Sequence, residues 1–158
     1  MSDRGVFVSA FTVVVLIVAG AFALPQFFPF ELIKSLIYVA IAIMVFFGEN
    51  KYSYMLGIVA PVVGWVLNII LGGFFDEFGV LFASIAMKPI PPLETPLHGL
   101  AILTQLLLLA LCWRAWQKQV TDPFFGKVFG VSLAISAVHA IVLAAYFVFG
   151  VPGGTEMP

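Results

Sequence analysis

Five long apolar runs, each closed by a charged residue, a proline or a glycine, constrain this chain more than any other feature of its sequence. Crossing a hydrocarbon core of about 30 Å as a helix takes about 20 mostly apolar residues. The runs over 5–24, 32–48, 54–75, 97–116 and 127–149 reach or approach that length. In each of them apolar side chains occupy every helix face, the pattern of a spanning helix and not of an amphipathic one resting on a soluble core. The expected fold class is all-α: an integral membrane bundle of five transmembrane helices, with residues 1–158 forming a single transmembrane domain. Composition agrees, since 63% of the residues are hydrophobic, 9% are charged and the mean hydropathy is +1.15. A soluble domain carries about a quarter charged residues. An ordinary soluble globule, a disordered chain and a nucleic-acid binder, which needs a basic patch, are thereby excluded.

Local signals set the expected boundaries. Pro25 stops the first run, Pro29 and Glu31 precede the second, Asp76-Glu77 closes the third, and Pro96 is placed as the first-turn proline of the fourth. Gly150 and Pro152 end the fifth. Ala21-Phe22-Ala23 has the small-residue pattern of a secretory cleavage site. The apolar run before it, however, exceeds the 7–15 residues of a signal peptide, so a retained helix is expected.

The sparse charges orient the spans. With the N-terminus inside and the C-terminus outside, the inner side holds Arg4, Lys51, Arg114, Lys118 and Lys127, and the outer side only Lys34 and Lys88. That asymmetry is the positive-inside pattern. The expected location is the plasma (inner) membrane. The outer connection 76–96 contains an apolar stretch, Phe78 to Met87, too short to span. An interfacial or re-entrant helix is expected there, followed by an extended path through Pro89, Pro91 and Pro92.

Small residues permit close helix approach in lipid. Two four-residue series, Gly126-Gly130-Ala134 and Ser132-Ser136-Ala140-Ala144, predict a central position for the fifth span. Leu106 to Leu109 and Leu111 predict a lipid-facing side on the fourth, and Gly57, Pro61 and Gly64 a kink in the third. Phenylalanine pairs near the span ends suit bilayer or subunit contacts.

Polar residues inside the runs are the candidates for function. At 1.5 Å per residue, His139 lies about 18 Å above Lys127, Asn68 about 21 Å above Tyr54, Gln105 about 12 Å below Leu97, and Tyr38 about 10 Å below Glu31. Four helices thus place Tyr38, Asn68, Gln105 and His139 in nearly one layer. They either bond one another as interhelical glue or line a pocket for a quinone, pigment, lipid head or substrate. Tyr146, seven residues after His139, shares its helix face and joins the candidate ligand site. His139 is the one deep ionisable group on this reading. Lys34 and Arg114 snorkel to the interfaces, and His98 bonds to loop backbone at a helix end.

No metal site is expected, and no cofactor. Two histidines and the single Cys112 supply too few ligands, and the two histidines differ too much in depth to share a haem iron. A haem or chlorophyll on one ligand, His139, is the only cofactor option. No span holds a paired carboxylate, a Ser-His-Asp set or an H-E-x-x-H, so no enzymatic activity is expected. The function expected from sequence is an accessory or assembly subunit of a larger membrane complex. Its partners would be the bilayer and other membrane-protein subunits or copies of itself, with no nucleic acid. The alternatives are a small carrier or binding protein for an apolar or weakly polar ligand, and a cofactor-bearing redox or photosynthetic subunit.

Overall fold

The computed structural model describes residues 2–48, 50–90 and 95–150. Among these, every regular element is helical: α1 (Ser2–Ala23), a 3-10 turn (Pro25–Phe27), α2 (Phe28–Phe46), α3 (Asn50–Ile70), α4 (Gly73–Ile85), α5 (Pro96–Gln119) and α6 (Lys127–Gly150). Five of the helices, α1, α2, α3, α5 and α6, are long and apolar enough to cross a membrane.

Several helices begin before or end beyond their apolar runs, for local reasons. Pro29 occupies the first turn of α2, where its missing N–H is no loss, so α2 starts at Phe28 and not at Leu32. Glu31 therefore lies inside the helix, in a first turn whose dipole favours a carboxylate. At its other end α3 stops at Ile70, short of the expected Phe75, because Gly72 takes a left-handed conformation (φ 84°). Phe74 and Phe75 pass to α4, which thus begins earlier than the apolar stretch from Phe78 suggested. Asp76 falls in the first turn of that helix instead of closing a span. Thr95 caps α5 by accepting from the Leu97 amide at 3.4 Å, with Pro96 in the first turn. Pro89 lies in chain without regular structure; Pro91, Pro92 and Glu94 lie outside the described residues.

α3 is the axis of the bundle and touches all five other helices. Its segment from Ser53 to Pro61 is continuously buried. α1 packs on α2 and α5, and α4 lies against α5 and α3. The fifth span, α6, is not central: it packs only on α3 and, more lightly, on α2. Ser132 and Ser136 of one small-residue series are buried, while Gly130 and Ala134 of the other face outward. A Cβ on Gly130 would meet nothing within 4 Å. Small residues permit a close approach but do not compel one.

Polar groups tie the helices at the end where α1 begins. The Tyr54 hydroxyl on α3 donates to the Asp3 carboxylate on α1, and the Gln119 amide on α5 donates to the same carboxylate at 3.5 Å. Lys51 pairs with Asp122 at 3.4 Å. These partners explain why α3 extends to Asn50 and α5 to Gln119, well past the apolar residues. Phe124 closes the same end, its ring centroid 5.2 Å from that of Trp113 and 6.1 Å from that of Trp116. Elsewhere Leu106 and Leu107 of α5 are exposed as expected, whereas Leu108 is fully buried against α3.

Candidate functional site

A cavity of about 320 Å³ lies between α2, α3, α4, α5 and α6. It is near the lower end of the range for small-molecule sites, about 300–1,000 Å³. Along α6 its lining runs from Phe147 to Ser136, about 16 Å at 1.5 Å per residue. Its composition changes along that path. Glu31, Lys34, Asp76, Glu77, Thr95 and His98 surround the end where α2 and α5 begin. Ile37, Val63, Leu67, Ala101, Ile102 and Leu143 form apolar walls. Tyr38, Trp65, Gln105, Ser136 and His139 supply polar groups deeper in.

Tyr38, Asn68, Gln105 and His139, the layer read from sequence, all line this one cavity. Tyr146 does not; it lies half-buried one helical turn beyond Leu143. The four do not bond one another among the described residues. Gln105 Oε1 accepts from Trp65 Nε1 at 2.7 Å, and His139 Nε2 donates to the Ile33 carbonyl at 2.9 Å. That second bond fixes α6 to α2 and leaves Nδ1 as the only ring nitrogen open to another partner. The Tyr38 hydroxyl and the Asn68 amide bond no other described residue. The buried Ser136 hydroxyl also lacks a partner. In a dry bundle an unmet hydroxyl or amide costs free energy, so these groups can offer their hydrogen bonds to a guest.

The charged end was not foreseen as a site. Glu31 is 4% exposed, and His98 is turned inward towards it, with Nε2 3.8 Å from Glu31 Oε1. This placement corrects the expectation of a helix-end histidine bonded to loop backbone. Lys34 Nζ stands 3.5 Å from Glu31 Oε2 and 3.9 Å from Glu77 Oε1, so it bridges α2 to α4 and does not snorkel outward. His139 is therefore not the sole ionisable group inside the bundle. Two glycines make the arrangement sterically possible. A Cβ at Gly20 of α1 would stand 2.6 Å from His98 Nε2, and one at Gly99 of α5 would stand 2.7 Å from the Glu77 backbone oxygen. Glu31 and Lys34, spaced i,i+3, already form a helix-face pair in the sequence. Reading Pro29 as a first-turn residue would have put that pair inside α2. Nothing local in the sequence says that Glu77 and His98 come to meet it.

Among the described residues no group of three His, Cys, Asp or Glu side chains is placed to hold a metal ion. No protein-family model matches this sequence, and no curated protein or solved structure is significantly similar to it.

Proposed function

We propose that this chain is a five-span integral membrane protein that binds a small amphipathic ligand inside its bundle, as a carrier or binding protein. The cavity supports this reading, because it joins apolar walls to hydrogen-bonding groups that have no partner of their own. Glue between helices would have consumed those groups. In this proposal the N-terminus is inside and the C-terminus outside, following the five basic residues on one side against two on the other. The proposed location is the plasma (inner) membrane. The 13 residues of α4 rise about 20 Å, too little to cross, which supports reading it as a helix at the outer interface, over the charged end of the cavity.

The accessory-subunit reading draws on the exposed apolar side chains, which lipid accounts for equally well. A haem or chlorophyll on His139 draws less support, since Nε2 is engaged by the Ile33 carbonyl.

Trp65 lines the cavity and reports on it, whereas Trp113 and Trp116 lie at the opposite end of α5. In a Trp113→Phe/Trp116→Phe background in neutral detergent, a short brominated alcohol should quench Trp65 emission along a saturable curve. A response that stays linear, as for collisions at an open surface, would refute the binding reading.

A further inference from the structure

The charged end of the cavity has an imbalance that no described residue corrects. Glu31 and Glu77 share the single ammonium of Lys34, and with His98 neutral the four groups carry one net negative charge. Their contacts, at 3.5, 3.8 and 3.9 Å, are all longer than the 2.7–2.9 Å of a charge-assisted hydrogen bond. Glu31 Oε2 and His98 Nε2 are buried and make no hydrogen bond at all. A carboxylate that is 4% exposed and paired only with a lysine it shares with Glu77 is costly to bury unless something else satisfies it. Glu31 Oε2 accepts hydrogen bonds, as does His98 Nε2 in the neutral tautomer protonated on Nδ1, so the missing group is a donor and, by charge, a cation. The apolar walls leading inward favour an organic cation, and the described side chains offer no cluster of three metal ligands.

We infer that the cavity takes a primary ammonium group carried on a short apolar body. The ammonium sits between Glu31, Glu77 and His98, and the body extends past Ile37 and Ile102 towards Tyr38 and Gln105. The inference rests on the binding function proposed above and adds the chemical class of the ligand. A free alkylamine and the ethanolamine head of a phospholipid present the same ammonium, and the probes below separate them.

The test is competition against the brominated alcohol at Trp65, at about pH 8, where an ordinary histidine is neutral. Hexylamine, hexanol and hexanoate share one chain and differ only in the head. Hexylamine should displace the quencher at a concentration about tenfold lower than hexanol does, and hexanoate should be the weakest, as charge-assisted bonding to buried carboxylates requires. Lysophosphatidylethanolamine competing more strongly than hexylamine identifies a membrane lipid as the source; the reverse order identifies a free amine. Glu31→Gln should remove the preference for hexylamine over hexanol. Glu77→Gln should reduce the preference, and it serves alone if the Glu31 variant does not fold. Equal potency of hexylamine and hexanol in the unmodified protein, or hexanoate as the best competitor, overturns the ammonium assignment and leaves the cavity function standing. If the brominated alcohol never saturates, both fail together.

Discussion

Replacing Gly64 by leucine should stabilise the protein and at the same time abolish ligand binding. Gly64 lies in the middle of α3, lines the cavity and has ordinary helical backbone, so it needs no glycine for conformational reasons. A Cβ built there meets nothing closer than the Tyr38 hydroxyl, at 4.0 Å. A side chain at this position therefore starts in open space in front of Tyr38. Glycine in a helix interior is less favourable than leucine by about 0.8 kcal/mol, and dispersion contacts along the cavity wall add to that gain. For a chain of this size about 1 kcal/mol raises Tm by about 2–4 °C. Thermal unfolding followed by circular dichroism in one neutral detergent measures the shift, and saturable quenching of Trp65 in the same sample measures binding. The reasoning fails if Tm falls, which would mean that the space is closed in solution. It fails equally if Gly64→Leu binds the brominated alcohol as the unmodified protein does, since the ligand would then lie elsewhere.

Three further outcomes follow from the packing. Gly99→Ala drives a Cβ to within 2.7 Å of the Glu77 backbone oxygen and 2.8 Å of Leu81 Cβ, neither of which is a flexible tip. Overpacking of this kind costs about 1–3 kcal/mol and should expose α4 to limited proteolysis; an unchanged cleavage pattern and Tm would contradict the close α4–α5 contact. Trp65→Phe leaves Gln105 Oε1, on a side chain 4% exposed, without its donor. A loss of about 1–2 kcal/mol is expected in thermal or denaturant unfolding, and a double cycle with Gln105→Leu should show coupling and not simple additivity. Lys34→Met strips the shared cation from Glu31 and Glu77 and should cost about 3 kcal/mol. Adding Glu31→Gln should restore part of that stability, and strictly additive losses would show that the two groups do not interact.

Sequence alone determined how many long helices the chain forms and roughly where each lies. Both follow from local physics: a run of about 20 apolar residues cannot leave its backbone unbonded away from water, and prolines and glycines punctuate it. It also placed Tyr38, Asn68, Gln105 and His139 at one depth, because rise per residue is a fixed quantity along a helix. Depth carries no information about azimuth, so the sequence could not say that these four would face a common space, nor that Tyr146 would not. Tertiary structure decided that, through the order in which helices pack around α3. It also set α6 at the edge of the bundle, since its small residues allow contact on two sides and neighbours exist on only one. The charged cluster depends on it most. Glu31 and Lys34 come from α2, Glu77 from α4 and His98 from α5, and they meet only because Gly20 and Gly99 leave room where side chains would collide. Burial of an imbalanced charge is a property of that meeting, and no single segment of the chain contains it.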